Sequence, residues 1–120
     1  MNGRVDSSGR ALIAIAIKPS PKSLPTRLEA WIDTGFTGEL VLPQSLVSEL
    51  KLPQSGSVSA QLGDGSDVVM STYTCRVAWL GKDHQIEVVA NNGQFPLLGV
   101  GLLRDHKLTV DYASQSLVVE

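Results

Sequence analysis

Trp31-Ile32-Asp33-Thr34-Gly35-Phe36-Thr37-Gly38-Glu39-Leu40-Val41-Leu42-Pro43 places a single carboxylate and two glycines between two apolar runs. Upstream, Leu28, Ala30 and Ile32 alternate with Glu29 and Trp31, the period of a strand arriving at Asp33. Downstream, Leu40-Val41-Leu42 reads as a second strand, stopped by Pro43. Gly35 and Gly38 are expected to carry the turn through backbone conformations that a side chain forbids. An acid on a tight turn between buried strands sits where its surroundings can tune its protonation, and that placement points to chemistry more than to solubility. A surface turn capped by an Asp would show the same residues 33–35, so the flanking chain decides the reading.

Working outward, Ala11 to Ile17 carries three isoleucines at alternating positions and reads as a strand. Lys18 to Pro25 holds three prolines and is a connection. Met1 to Arg10 is polar and contains Gly and Ser, which predicts a flexible lead-in before a single domain over 11–120. After Pro43, Gln44 or Ser45 is placed to cap a short helix carrying Leu46, Val47, Leu50 and Leu52, with Pro53 ending it. Val58, Ala60 and Leu62 alternate up to Gly63-Asp64-Gly65-Ser66, a strong hairpin signal. The return strand runs from Val68 through Tyr73, Cys75, Val77 and Trp79 to a turn over Gly81-Lys82-Asp83-His84, and Ile86 to Ala90 follows as a strand. Asn91-Asn92-Gly93 is a loop, Phe95 to Gly99 an apolar run, and Val100 to about His106 a short helix. Leu108–Tyr112 and Ser116–Val119 close the chain as a hairpin.

Composition narrows the classes. The chain has 120 residues, 42% hydrophobic and 18% charged, with a net charge of −2, the profile of one globular domain without a basic patch. Nucleic acid and anionic membranes are therefore excluded as expected partners. No apolar run reaches the roughly 18 residues that a membrane span needs. The apolar stretch 11–17 lacks a small-residue cleavage site and is followed by Pro-Ser-Pro, so it reads as a strand rather than a signal peptide. A lone cysteine, Cys75, fits a reducing compartment, and a cytoplasmic location is expected.

Asp33-Thr34-Gly35, preceded by Ala30-Trp31-Ile32, resembles the active-site loop of the retropepsin-like aspartic proteases. The longer string Asp33 to Gly38, with the later Leu97-Leu98-Gly99, is similar to the small bacterial and archaeal branch of that clan. The order of elements matches from about Ala11 to Val119. The resemblance implies a mostly β fold: a closed retropepsin-like β-barrel or sandwich with a flap hairpin and one or two short helices, equivalent to half of a pepsin-like bilobal enzyme. It places Gly63, Asp64, Gly65 and Ser66 in the flap over substrate, and Leu97, Leu98 and Gly99 as support beneath the acid loop.

Peptide hydrolysis by this class needs one carboxylate to take a proton from water and a protonated partner to polarise the carbonyl oxygen. Two close acids sharing one proton supply both, since like charge keeps the second from ionising. The chain has one Asp-Thr-Gly, and Asp6, Asp64, Asp67, Asp83, Asp105 and Asp111 lack its glycine-rich setting. The implied enzyme is thus a C2 homodimer, an aspartic endopeptidase with Asp33 as catalytic residue, acting on a peptide or protein substrate without cofactor or metal. The alternative is a non-catalytic dimerisation or peptide-binding module on the same fold. By resemblance, Thr34 bonds across the axis, or else satisfies its own loop. Gly35 meets a backbone need, and its amide can bond the carboxylate. Phe36 either walls a substrate subsite or plugs the core. Retroviral members often tie the dimer with an Arg followed by Asp or Asn after the last motif glycine. Val100-Gly101 stands there instead, leaving Arg104 or Asp105 as substitutes. Related enzymes also join terminal strands across the dimer, which implicates Leu117, Val118 and Val119, although these can equally pair within one subunit.

Three further features carry no chemistry. Gly99-Val100-Gly101 lacks the third glycine and the βαβ setting of a nucleotide loop. His84 and His106 have no partners at metal-ligand spacing and read as solvated turn residues. Cys75 falls in a strand pattern as a small buried hydrophobe.

Overall fold

The alternating isoleucines make the centre of the molecule. The computed structural model describes all 120 residues, and in it Ile13, Ile15 and Ile17 of strand β2 (Ala11–Lys18) point inward with at most 3% of their surface exposed. They meet Ala30 and Ile32 of β3 (Thr26–Ile32), Leu40 and Leu42 of β4 (Leu40–Pro43) and Val47 of helix α1 (Gln44–Leu50). Strands β5 (Gln54–Gln61), β6 (Asp67–Trp79) and β7 (Lys82–Asn91) form a meander whose far half adds Cys75, Val77, Ile86 and Val88 to the core. A two-residue strand β8 (Leu97–Leu98), a single-turn helix α2 (Val100–Leu103) and the hairpin β9 (Leu108–Asp111) and β10 (Ser116–Val119) complete the chain.

All strands join one sheet in the order β5-β6-β7-β4-β8-β3-β2, then β1 (Asn2–Val5), β10 and β9. A further pairing of β2 with β6, Ile17 opposite Val77, closes six of these strands, β6-β7-β4-β8-β3-β2, into a barrel. The fold is therefore mostly β and closed, as expected. Two parallel pairings set the site: β3 beside β8, and β4 beside β7. Because β8 also pairs antiparallel with β4, it is wedged between the strands that enter and leave the acid loop.

Several expectations need correction. Residues 2–5, read as part of a flexible lead-in, form β1 between β2 and β10. Its polar sequence hid a close approach: a Cβ on Gly3 would collide with the Leu12 carbonyl oxygen and the Leu117 side chain. Arg4 makes two 2.8 Å bonds to Glu29, and the Asp6 carboxylate takes the amides of Ser8 and Arg10 and the Arg10 guanidinium, so the segment is tied along its length. Helix α1 is capped by neither Gln44 nor Ser45. Pro43 is its N-cap, with no side-chain bond, because β4 runs directly into the helix, and Gln44 instead reaches Ser48 Oγ at 3.3 Å. The turn after β6 is only Leu80-Gly81, both with positive φ (49° and 80°), the geometry of a two-residue hairpin, which leaves Lys82, Asp83 and His84 in β7. Helix α2 stops at Leu103 rather than His106, since Arg104 turns extended (ψ 138°) to lead the chain back to β9.

The terminal strand is also engaged within its own chain. Strand β10 is hydrogen-bonded on one side to β1 and on the other to β9, and Leu117 and Val119 lie in the core. Its two edges are occupied, so the expectation that residues 117–119 pair across a dimer gives way to the intrachain alternative; the free sheet edges are β5 and β9.

Candidate active site

Asp33 follows the last residue of β3 and hangs on β8: its amide donates to the Leu98 carbonyl at 2.9 Å. Three more backbone bonds lash the loop to the segment after β8: Gly99 N–H to Glu39 O at 3.0 Å, Val100 N–H to Phe36 O at 2.8 Å, and Gly101 N–H to Gly38 O at 2.9 Å. The approach is so close that a Cβ on Gly99 would overlap the Gly38 carbonyl oxygen and sit 2.6 Å from that of Phe36. Leu97, Leu98 and Gly99 thus lie against the acid loop. Gly35 and Gly38 were expected to be needed for their backbone angles. Neither has a positive φ, and a Cβ on Gly38 would instead strike the Phe36 ring. The glycines here serve proximity, not conformation.

The Asp33 carboxylate is partly buried, and its Oδ1 accepts the Gly35 amide at 2.9 Å. That bond orients the group. Thr34 and Gly35 are exposed beside it. Two recesses flank the loop. A cleft of about 310 Å³ is lined by Asp33 itself with Trp31, Ile32 and Leu97. Trp31 stacks edge-on against Phe95 with ring centres 6.0 Å apart, and the Arg10 guanidinium lies 4.5 Å from the centre of the Phe95 ring. On the other side, a cavity of about 460 Å³ opens between the loop residues Gly35, Phe36 and Gly38 and the inner face of the β5–β6 hairpin. Asp33 does not line this larger space. Phe36 does, while its ring also packs on Gly38 and Gly99, so it is wall and plug at once.

The hairpin tip is Leu62 to Ser66, closed by Leu62 N–H to Ser66 O at 2.8 Å and Gly65 N–H to Leu62 O at 2.9 Å, with Gly65 at φ 86°. Asp64 Oδ1 accepts the Ser66 hydroxyl at 2.6 Å and the Ser66 amide at 2.9 Å. These bonds hold its carboxyl below the usual carboxylate range. Gly63, Asp64, Gly65 and Ser66 are all exposed and do not line either recess. The residues facing the cavity are instead Val58, Ala60 and Met70, with Val89, Glu39 and Glu87 across from them. Sequence reasoning missed these six. The alternation of Val58 and Ala60 carried a usable signal, since it faces one side of the hairpin inward.

Beyond the loop, Glu39 Oε1 accepts the Glu87 amide at 3.0 Å. Cys75 is buried, and burial, with a smaller push from the Glu39 charge, raises its thiol to about 12, the behaviour of an inert packing residue. His84 and His106 are exposed but share a shallow cleft with Arg104 and Glu39; Asp105, also exposed, follows at φ 67°. No helix is long and apolar enough to cross a membrane.

A retropepsin-like aspartic protease from Rickettsia conorii matches 99% of this chain and 88% of its own length with a TM-score of 0.64 and 18% identity. The fold is retropepsin-like. The EIAV protease, solved with the inhibitor HBY-793, matches at TM-score 0.60 and 18% identity over 83% of this chain and 90% of its own. The solution structure of the simian foamy virus (mac) protease matches at TM-score 0.55 and 20% identity over 77% and 90%. No family model and no curated protein matches the chain. In this retropepsin-like fold, the acid loop braced by β8 and the β5–β6 hairpin line the larger recess between them.

Proposed function

We propose that the protein is an aspartic endopeptidase that works as a C2 homodimer, with Asp33 and its counterpart from a second copy as the dyad. The observation that carries this reading is the Asp33 carboxylate, aimed by the Gly35 amide on a loop fixed by four backbone bonds, at the edge of a recess, in a retropepsin-like fold. No other aspartate lines either recess beside the loop, and four of the six are engaged elsewhere: Asp6 pairs with Arg10, Asp83 with Arg76, Asp64 bonds Ser66, and Asp111 caps its own turn. A second carboxylate therefore comes from a second chain.

In the assembled pair, the ionised acid takes a proton from a water held between the carboxylates as the water oxygen bonds the peptide carbonyl carbon. The protonated acid gives its proton to the carbonyl oxygen. Collapse of the tetrahedral intermediate breaks the C–N bond while one carboxyl gives its proton to the departing nitrogen and the other, ionised carboxylate takes the proton of a diol hydroxyl as the C=O bond re-forms, leaving the dyad again singly protonated. The hairpin covers the substrate during this step. Thr34, exposed beside the acid, is the residue we assign to hold the two loops together. The apolar cleft at Trp31 and Leu97 takes one substrate side chain and Phe36 walls the next space.

A mixed peptide library incubated with wild type and Asp33→Asn across acid to neutral pH tests this. Wild type cleaves best where the pair is singly protonated, and the variant loses at least about a thousandfold in rate. Specific activity falls on dilution as dimers separate. Hydrolysis by a demonstrated monomer, or unchanged turnover in Asp33→Asn, overturns the dyad. Peptide binding by wild type with no cleavage at any pH makes the fold a binding module instead.

A further inference from the structure

We infer that the 460 Å³ cavity selects a basic side chain, Lys or Arg, on the substrate, within about three residues of the bond that is cut; this rests on the protease reading above. The cavity has an apolar body, formed by Phe36, Val58, Ala60, Met70 and Val89. Two carboxylates, Glu39 and Glu87, also line it, and no lysine or arginine does. A space with apolar walls and two carboxylates on its lining fits a side chain with a long aliphatic stem and a cationic end, since the stem buries against the walls while the head meets the acids.

The two acids are held in different ways. Glu39 leaves the acid loop directly after Gly38 and is fixed by accepting the Glu87 amide through Oε1, so its charge has a defined position. Glu87 is exposed on β7, opposite Thr74 of β6. Arg76, on the neighbouring strand β6, is turned to Asp83, with both carboxylate oxygens 3.2 Å from its Nε, and Lys18 also approaches Asp83 at 3.9 Å. Those two basic residues are engaged with Asp83, and Arg104, which shares a separate cleft with Glu39, does not line the cavity. An extended peptide whose reacting carbonyl lies at Asp33 runs past Gly35, whose amide bonds Asp33 and whose backbone begins the cavity wall. The cavity thus reads a position close to the reaction.

Two peptides differing only in lysine against norleucine at that position isolate the charge from the stem. Wild type is expected to favour the lysine peptide, and Glu39→Gln with Glu87→Gln to reduce the preference about tenfold, because glutamine keeps the hydrogen-bonding oxygen and removes only the charge. The preference also falls as salt rises. The same pair is measured as binding, by fluorescence anisotropy, to Asp33→Asn with and without the two glutamines. Cleavage without preference for lysine, or a preference that survives both substitutions, overturns the inference and leaves the protease intact. Lysine-selective binding lost with the glutamines, but no cleavage by wild type, upholds the subsite and overturns the protease reading. Neither cleavage nor selective binding overturns both.

Discussion

The acid loop and the β5–β6 hairpin tip are both short, glycine-rich and built around one aspartate, yet they are opposites in physical terms. At the loop, any side chain added to Gly38, Gly99 or Gly101 meets atoms closer than 3.0 Å, and four backbone bonds tie it to the next segment. At the tip, nothing lies within 4 Å of a Cβ on Gly63 or Gly65, and the bonds that shape it come from its own five residues and the adjacent Gln61 side chain. Glycine means contact in the first and freedom in the second. That difference suits an aspartic protease, in which the acid must stay still while the cover moves.

Substituting the glycines tests the contrast most severely. Gly99→Ala forces a methyl group into the carbonyl oxygens of Gly38 and Phe36, backbone atoms that cannot swing aside, and should cost about 3 kcal/mol or more of stability in urea unfolding. Gly63→Ala adds a methyl to open space at an ordinary φ and should shift stability by no more than about 0.5 kcal/mol. Equal losses at the two positions would break the comparison.

Hydrogen exchange examines the same difference without changing the sequence. The amides of Asp33, Gly99, Val100 and Gly101 donate into the braced loop and should exchange about a hundredfold more slowly, relative to their intrinsic rates, than those of residues 62–67. A transition-state-like inhibitor should then slow 62–67 while leaving the loop amides nearly as they were. Equal protection of the tip with and without inhibitor would show that the hairpin is not a moving cover.

The sequence was legible where periodicity and motif agreed. The isoleucines of β2 and the alternation into Asp33 each announced a buried strand, while the apolar run through Leu97 and Leu98 showed no strand of its own and was placed beside the acid only by resemblance; the order of elements pointed to the retropepsin-like fold. Legibility failed where structure depends on backbone proximity, which leaves no apolar pattern. Gly3, Arg4 and Asp6 looked like a polar tail, although Gly3 is small because β1 lies hard against Leu12 and Leu117. Glycines in the acid loop were read as conformational for the same reason. The cavity residues escaped notice because the turn Gly63 to Ser66 drew attention to the tip, whereas the walls come from strand positions such as Val58, Ala60 and Met70. Glu39 and Glu87 are 48 residues apart and meet only through the parallel pairing of β4 with β7.

The smallest effect sharpens the comparison through pH. The tip owes part of its shape to a titrating group: Asp64 bonds the hydroxyl and then the amide of Ser66, and these bonds hold its carboxyl below the ordinary value of 3.8. A carboxyl with a depressed value in the folded chain adds order that is fully present above the ordinary value and is lost as pH falls through the depressed one. Acidification should therefore loosen the tip before it disturbs the acid loop, whose four bracing bonds join backbone to backbone and involve no group that takes up a proton in this range. Ser66→Ala removes the larger of the two causes and keeps the amide, so the Asp64 midpoint should rise toward 3.8 without reaching it. Carbon-detected NMR of the Asp64 carboxyl across pH 2 to about 6 reads the midpoint directly. In the same titration the Ser66 amide, corrected for intrinsic rate, should lose protection as Asp64 protonates while the Gly101 amide keeps its own. A midpoint unmoved by Ser66→Ala would mean that the tip is shaped by its glycine conformations alone, and loop and hairpin would then differ in packing but not in their response to acid.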